Sequence, residues 1–136
     1  MEEGRKLEGG NEGVQQRDGG EWRRAYAETM AAGAREYADV IERLGELGLP
    51  ASFTQTGGMC AAIEVTLEAG AYLLITDAED TLSWSRAEHE GWAVGLYLDD
   101  RMSDGGVERF AATEESDIDA LTNLVIEVLR GRNDLA

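Results

Sequence analysis

Cysteine is nearly absent from this chain: Cys60 stands alone, so no disulfide can close within it and nothing asks for an oxidising compartment. Pro50 is the only proline and His89 the only histidine. No apolar run approaches the roughly 20 residues that span a bilayer. The opening MEEGRKLEGGNEG lacks the apolar core of a secretory signal, so the cytoplasm is the expected location. Basic residues are scarce as well. Twelve stand against 28 acids, giving a net charge of −16, and residues 51–136 carry 17 of the acids but only 5 of the bases. A field of that sign repels nucleic acid and anionic membrane and draws basic partners. Its plainer effect is solubility.

With 136 residues, 43% of them hydrophobic, the chain is sized for one domain that fills a core without disulfides or metals. Residues 1–20 hold six glycines and eight charged residues, which predicts a disordered tail. From Glu21 the pattern changes. Trp22, Tyr26, Met30, Ala34, Tyr37, Ile41 and Leu44 recur at three- and four-residue steps, predicting one helix over about 21–46. Gly45, Gly48 and Pro50 end it, and Gly33 weakens it by roughly 1 kcal/mol relative to Ala.

Beyond Pro50 the period becomes two. Residues 52–56 read as an edge strand, turned at Gly57-Gly58. Ile63, Val65 and Leu67 alternate with Glu64, Thr66 and Glu68, a strand with one wet face. Ala69-Gly70 turns into AYLLIT, residues 77–90 form a polar loop or short helix, and GWAVGLYL and VERFAA are the last strands. Ser116 with Asp119 reads as a capping box opening a helix over 116–130, and residues 132–136 as a frayed end. The expected fold is α+β: an antiparallel sheet of four to five strands over residues 21–131, with an N-terminal and a C-terminal helix on one face.

Chemistry-bearing patterns are few. Cys60 and His89 offer one thiol–imidazole pair, with no surrounding motif. Asp77, Glu79 and Asp80, like Asp99, Asp100 and Asp104, are oxygen ligands in clusters, but DDRMSDGG lacks the alternation and terminal Glu of an EF-hand. TQTGG and DGG lack the Lys or helix start of a phosphate cradle. No pattern calls for a cofactor or a metal. Trp84, between Ser83 and Ser85, is either an exposed anchor or a lid over the sheet edge, whereas Trp92 reads as core. The remaining candidate is an acidic set of Glu64, Glu68, Asp77, Glu79, Asp80, Glu88, Glu90, Asp99, Asp100 and Asp104, with Trp84 beside it, many of them expected on an open sheet face and the loops at its rims.

The segments TQTGGMCAAIEV, AYLLITDAEDTLSW and GWAVGLY, about a third of the chain, resemble small α+β proteins of actinobacteria, their phages and mobile elements, a group with no assigned function. That resemblance implies a bacterial or phage origin. The order of elements is similar to that of type III secretion chaperones, small acidic proteins that are usually dimeric and bind an unfolded stretch of a client. It implies a homodimer, whose helix would have to come from the apolar-poor residues 79–90. The expectation is a non-catalytic module that binds another protein with a basic surface, as an accessory or inhibitory protein. A chaperone-like adaptor is the first alternative. A small enzyme or small-molecule binder with a pocket between sheet and helices is the second.

Overall fold

The computed structural model describes residues 10–57, 60–98 and 107–134, with side chains from residue 20 onward apart from residue 57. Helix α1 (Gly10–Glu36) is followed by α2 (Ala38–Glu46). Five strands come next: β1 (Ala51–Gly57), β2 (Cys60–Thr66), β3 (Tyr72–Thr76), β4 (Trp92–Tyr97) and β5 (Arg109–Thr113). Helix α3 (Ile118–Val128) closes the chain. By backbone packing the chain divides into two units, one ending at Ala32 and one running from Gly33.

The first unit is helical from Gly10, eleven residues before the predicted start and into the stretch read as a tail. Extending an existing helix adds one hydrogen bond per residue fixed, so weak formers continue what Glu21 onward begins. Trp22 and Tyr26, two members of the stripe that predicted the helix, are exposed and stack on each other with ring centres 5.4 Å apart.

The second unit is a meander. Its strands pair in sequence order, β1-β2-β3-β4-β5, and every pair is antiparallel, as the short connections require for the first two pairs. One row crosses the sheet as Phe53, Ile63, Ile75, Val94 and Ala111, and a second as Val65, Leu73, Leu96 and Arg109. The apolar members of the second row, with Phe53, Ile63, Ile75 and Val94, are buried beneath Val40 and Leu44 of α2 and Leu121, Leu124, Val125 and Val128 of α3. The two helices meet where Arg43 donates to Asp119 at 3.1 Å. Arg109 donates to the carbonyls of Val128 and Arg130, satisfying the end of α3.

The predicted single helix over 21–46 is broken at Tyr37, whose backbone (φ −118°, ψ 24°) leaves the helical region. The break turns Tyr37 into the core, fully buried, with its hydroxyl donating to the Ser83 carbonyl at 2.6 Å. One long-range bond and a buried ring outweigh one turn of continuous helix. The start of α3 also differs from expectation. Asp117 is the cap, accepting from the Ala120 amide at 3.2 Å, while the Ser116 hydroxyl accepts from the Gly91 amide at 2.8 Å. Ser116 therefore ties the helix entry to β4.

Gly33 and Gly45 are both helical, but a side chain at Gly33 would run into the buried ring of Phe53, and one at Gly45 meets nothing. The two sites should respond with opposite sign. In urea unfolding, Gly45→Ala is expected to stabilise by about 0.5 kcal/mol through helix propensity. Gly33→Ala is expected to destabilise by about 1–2 kcal/mol through overpacking, despite the same gain in propensity.

Candidate functional site

The connection between β3 and β4, residues 77–91, is polar and carries one helical turn, Arg86–Glu88. A polar connection of this length holds a fixed shape only if its backbone groups find partners. Here the partner is Asp77. Its Oδ1 accepts from the Ser83 amide at 3.2 Å and from His89 Nδ1 at 2.6 Å, and its Oδ2 accepts from the Ser83 hydroxyl at 2.8 Å and the Glu90 amide at 3.1 Å. Ala78 donates to the Glu90 carbonyl at 3.1 Å, so the two ends of the connection are also joined by backbone. The Asp77 side chain is 8% exposed and that of His89 only 1%.

His89 lies against Trp92 with ring centres 3.8 Å apart, and edge-on to Tyr37 at 5.9 Å. Because a carboxylate oxygen accepts at Nδ1, the proton of the neutral ring sits there. Nε2 is buried without a hydrogen-bond partner. Burial lowers the His89 pKa from its usual value, outweighing the upward pull of Asp77, and the Arg86 charge lowers it further. The same burial, aided by the Asp77 charge, holds the Tyr37 phenol well above its ordinary range.

Arg86 fastens the connection to the junction of α1 and α2. Its guanidinium donates to Asp39 at 2.6 Å and to the Glu36 carbonyl at 3.2 Å, and its amide donates to Glu36 Oε1 at 2.6 Å. It also lies over the rings of Tyr37 and Trp92 at 5.3 and 5.9 Å. Partial burial would raise the Asp39 pKa, but the Arg86 hydrogen bond and charge and the Val40 amide together lower it.

On the outside of this connection is an open cavity of about 640 Å³, lined by Asp77, Glu79, Asp80, Glu88, Glu90 and Glu114 with Ser83, Ser116 and Ala78. Six of its nine lining residues are acidic and none is basic. The structure thus gathers Asp77, Glu79, Asp80, Glu88 and Glu90 from the predicted acidic set and adds Glu114. Asp77 faces partly inward, as the hub of the connection. Glu64 and Glu68 are elsewhere. Glu64 sits in the sheet row Ser52, Glu64, Leu74, Gly95 and Phe110, on the face turned from α2 and α3, and is its only charged member. Glu68 opens the turn between β2 and β3.

Among the described residues, the acids that line the cleft therefore cluster at one end of the sheet, and Glu64 is alone in its row on the open sheet face. Turn chemistry put them in the connections, and connections lie at sheet ends. Asp99, Asp100 and Asp104 lie outside the described residues. Trp84 is half-buried, edge-on to Phe53 of edge strand β1 at 5.2 Å, in the position of a lid. Trp92 is fully buried, and its indole donates to the Asp117 carbonyl at 2.9 Å.

Cys60 is exposed at the start of β2, whereas His89 is buried against Asp77, so the thiol–imidazole arrangement is not built. Ser83 bonds Asp77 and not the imidazole, so the Ser–His–Asp order of a nucleophilic triad is also not formed. Among the described residues no group of three or more His, Cys, Asp or Glu side chains is arranged to hold a metal ion. No described helix is long and apolar enough to cross a membrane. The class defined here is an α+β meander with both of its packing helices on one sheet face and a carboxylate-lined cleft at one sheet end. No family model, curated protein or solved structure matches the chain.

The hub and its rim should differ in weight. Asp77→Asn exchanges one acceptor for a donor facing buried donors, and is expected to lower unfolding free energy by about 2–4 kcal/mol. Tyr37→Phe removes one bond and should lower it by about 1 kcal/mol. Because the folded state depresses the His89 pKa, the unfolded chain binds the proton more readily. The His89 contribution to stability is therefore complete above pH ~6.5 and declines as pH falls toward the folded value. Urea midpoints measured from pH 8 downward check the sign.

Proposed function

We propose that this protein is a non-catalytic binding module that receives a basic segment of another protein in the cleft formed by the β3–β4 connection. The observation that carries the reading is the lining: six carboxylic residues around about 640 Å³, without a basic side chain among them. The volume falls within the roughly 300–1,000 Å³ of ligand clefts, but carboxylates and hydroxyls replace the apolar walls that small-molecule sites use. Charges this close act together within a Debye length of about 8 Å at physiological salt. Their field speeds the encounter with a cationic partner and opposes anionic ones. Arg86 does not weaken this field from inside, since it is engaged by Glu36 and Asp39 behind the connection. An accessory or inhibitory role toward a basic partner in a bacterium or phage, in the cytoplasm, is consistent with such a site.

The test compares two variants of equal charge. A nona-arginine peptide is titrated by calorimetry against Glu79→Lys/Asp80→Lys/Glu88→Lys and against Glu64→Lys/Glu68→Lys/Glu127→Lys. Reversal in the cleft is expected to weaken binding by about tenfold or more, equivalent to about 1.4 kcal/mol, and reversal elsewhere by only about twofold. Equal losses in the two variants would mean that net charge alone drives association, and the cleft would not be the site.

A further inference from the structure

We infer that the cleft carries a proton-operated latch: protonation of His89 frees Asp77, loosens the cleft wall and delivers a cation among the cleft's own carboxylates. The inference rests on reading the cleft as the site for a basic partner and adds its regulation.

The latch is the Asp77–His89 contact of 2.6 Å. It joins the first residue of the connection to one near its end, and the same carboxylate holds Ser83 and Glu90, both of which line the cleft. The groups facing His89 come from four places. Asp77 follows β3 directly, Tyr37 enters from the α1–α2 junction, Arg86 lies in the helical turn, and Trp92 begins β4. Behind Arg86 stand Glu36 and Asp39. Glu88 and Glu90 flank His89 in the chain, exposed and on the cleft side.

Neutral His89 fits this surround: Nδ1–H meets a carboxylate, and Nε2 leaves a lone pair unused. An imidazolium does not fit. Its second N–H would be buried without an acceptor, since Asp77 is already engaged at Nδ1. Burial already holds the ring below its ordinary pKa against the pull of Asp77. Relief comes when the ring leaves its place on Trp92 for water, where Glu88 and Glu90 are the nearest charges along the chain. Asp77 then loses one of its four donors, the Ser83 and Glu90 amides are held less firmly, and the released imidazolium competes with the partner. One proton thus acts twice on the same site.

His89 is the only histidine, so a single imidazole NMR signal reports its titration in the full chain without assignment ambiguity. Its midpoint is expected below the ordinary imidazole value of about 6.5. Amide hydrogen exchange at Ser83 and Glu90 should accelerate at least about fivefold through the same midpoint. Affinity for nona-arginine should fall about tenfold from near pH 7.5 to about one unit below that midpoint. In His89→Asn, which offers Asp77 a donor but takes no proton, the fall should shrink to about twofold. A midpoint at or above about 6.5, or a titration that leaves exchange at Ser83 and Glu90 unchanged, overturns the latch, and both readouts use the unmodified chain should the variant not fold. Failure of the peptide to bind near pH 7.5 overturns the cleft reading and the regulation with it, even where the imidazole and the amides titrate together as expected.

Discussion

The architecture at the cleft end of this protein depends on one carboxylate. Asp77 is removed from water and surrounded by four donors, two from backbone and two from side chains. A buried charge in that position is tolerable only because each lone pair finds a proton. The same arithmetic makes it specific. A polar connection of this length has many conformations of similar energy, and burying Asp77 selects the one in which Ser83, His89 and Glu90 converge. A well-packed apolar residue in its place can be equally stable, but it supplies no direction to the backbone amides.

The hub does not stand alone, because the connection is pinned from behind. Tyr37 reaches it at the Ser83 carbonyl and Arg86 ties it to Glu36 and Asp39, so the break between α1 and α2 and the shape of the connection are parts of one arrangement. A straight helix through residue 37 would carry the Tyr37 hydroxyl away from Ser83. Local propensity and tertiary bonding disagree at this residue, and the tertiary bond prevails.

Much of the fold is legible in the sequence because the period-two pattern is strong in the strands from Ala51 to Tyr97 and the first two connections are too short for crossovers. The order of elements, the edge position of β1 and the inward row of Ile63 and Val65 all follow from that pattern. The helix break at Tyr37 does not, since nothing local separates a tyrosine that caps a turn from one in a stripe. The cap of α3 is missed by one residue because Ser116 and Asp117 are both good caps, and only the Gly91 amide decides between them. The site is half legible. Acidic connections mark Asp77, Glu79 and Asp80, but Asp77 and His89 are twelve positions apart, and an isolated histidine in a polar stretch carries no pattern. Their one trace is position: each stands at an end of the connection between two strands. Glu64 misleads for the opposite reason, since alternation shows that it faces away from the core but not that its neighbours Leu74, Gly95 and Phe110 are uncharged.

Six acidic residues around one cleft repel one another, and that repulsion opposes folding at every pH where they are ionised. A fold built for stability alone would spread them out. The structure keeps them together and sets its only buried histidine just behind their wall, bonded to the one carboxylate that belongs to both the core and the cleft. Charge outside and an ionisable ring inside are therefore coupled through a single side chain. A cation arriving from solvent relieves the repulsion from the cleft side. A proton arriving at His89 relieves it from within, at the expense of the packing that shaped the cleft. The two act on the same carboxylates, so each opposes the other, and that opposition follows from where Asp77 sits.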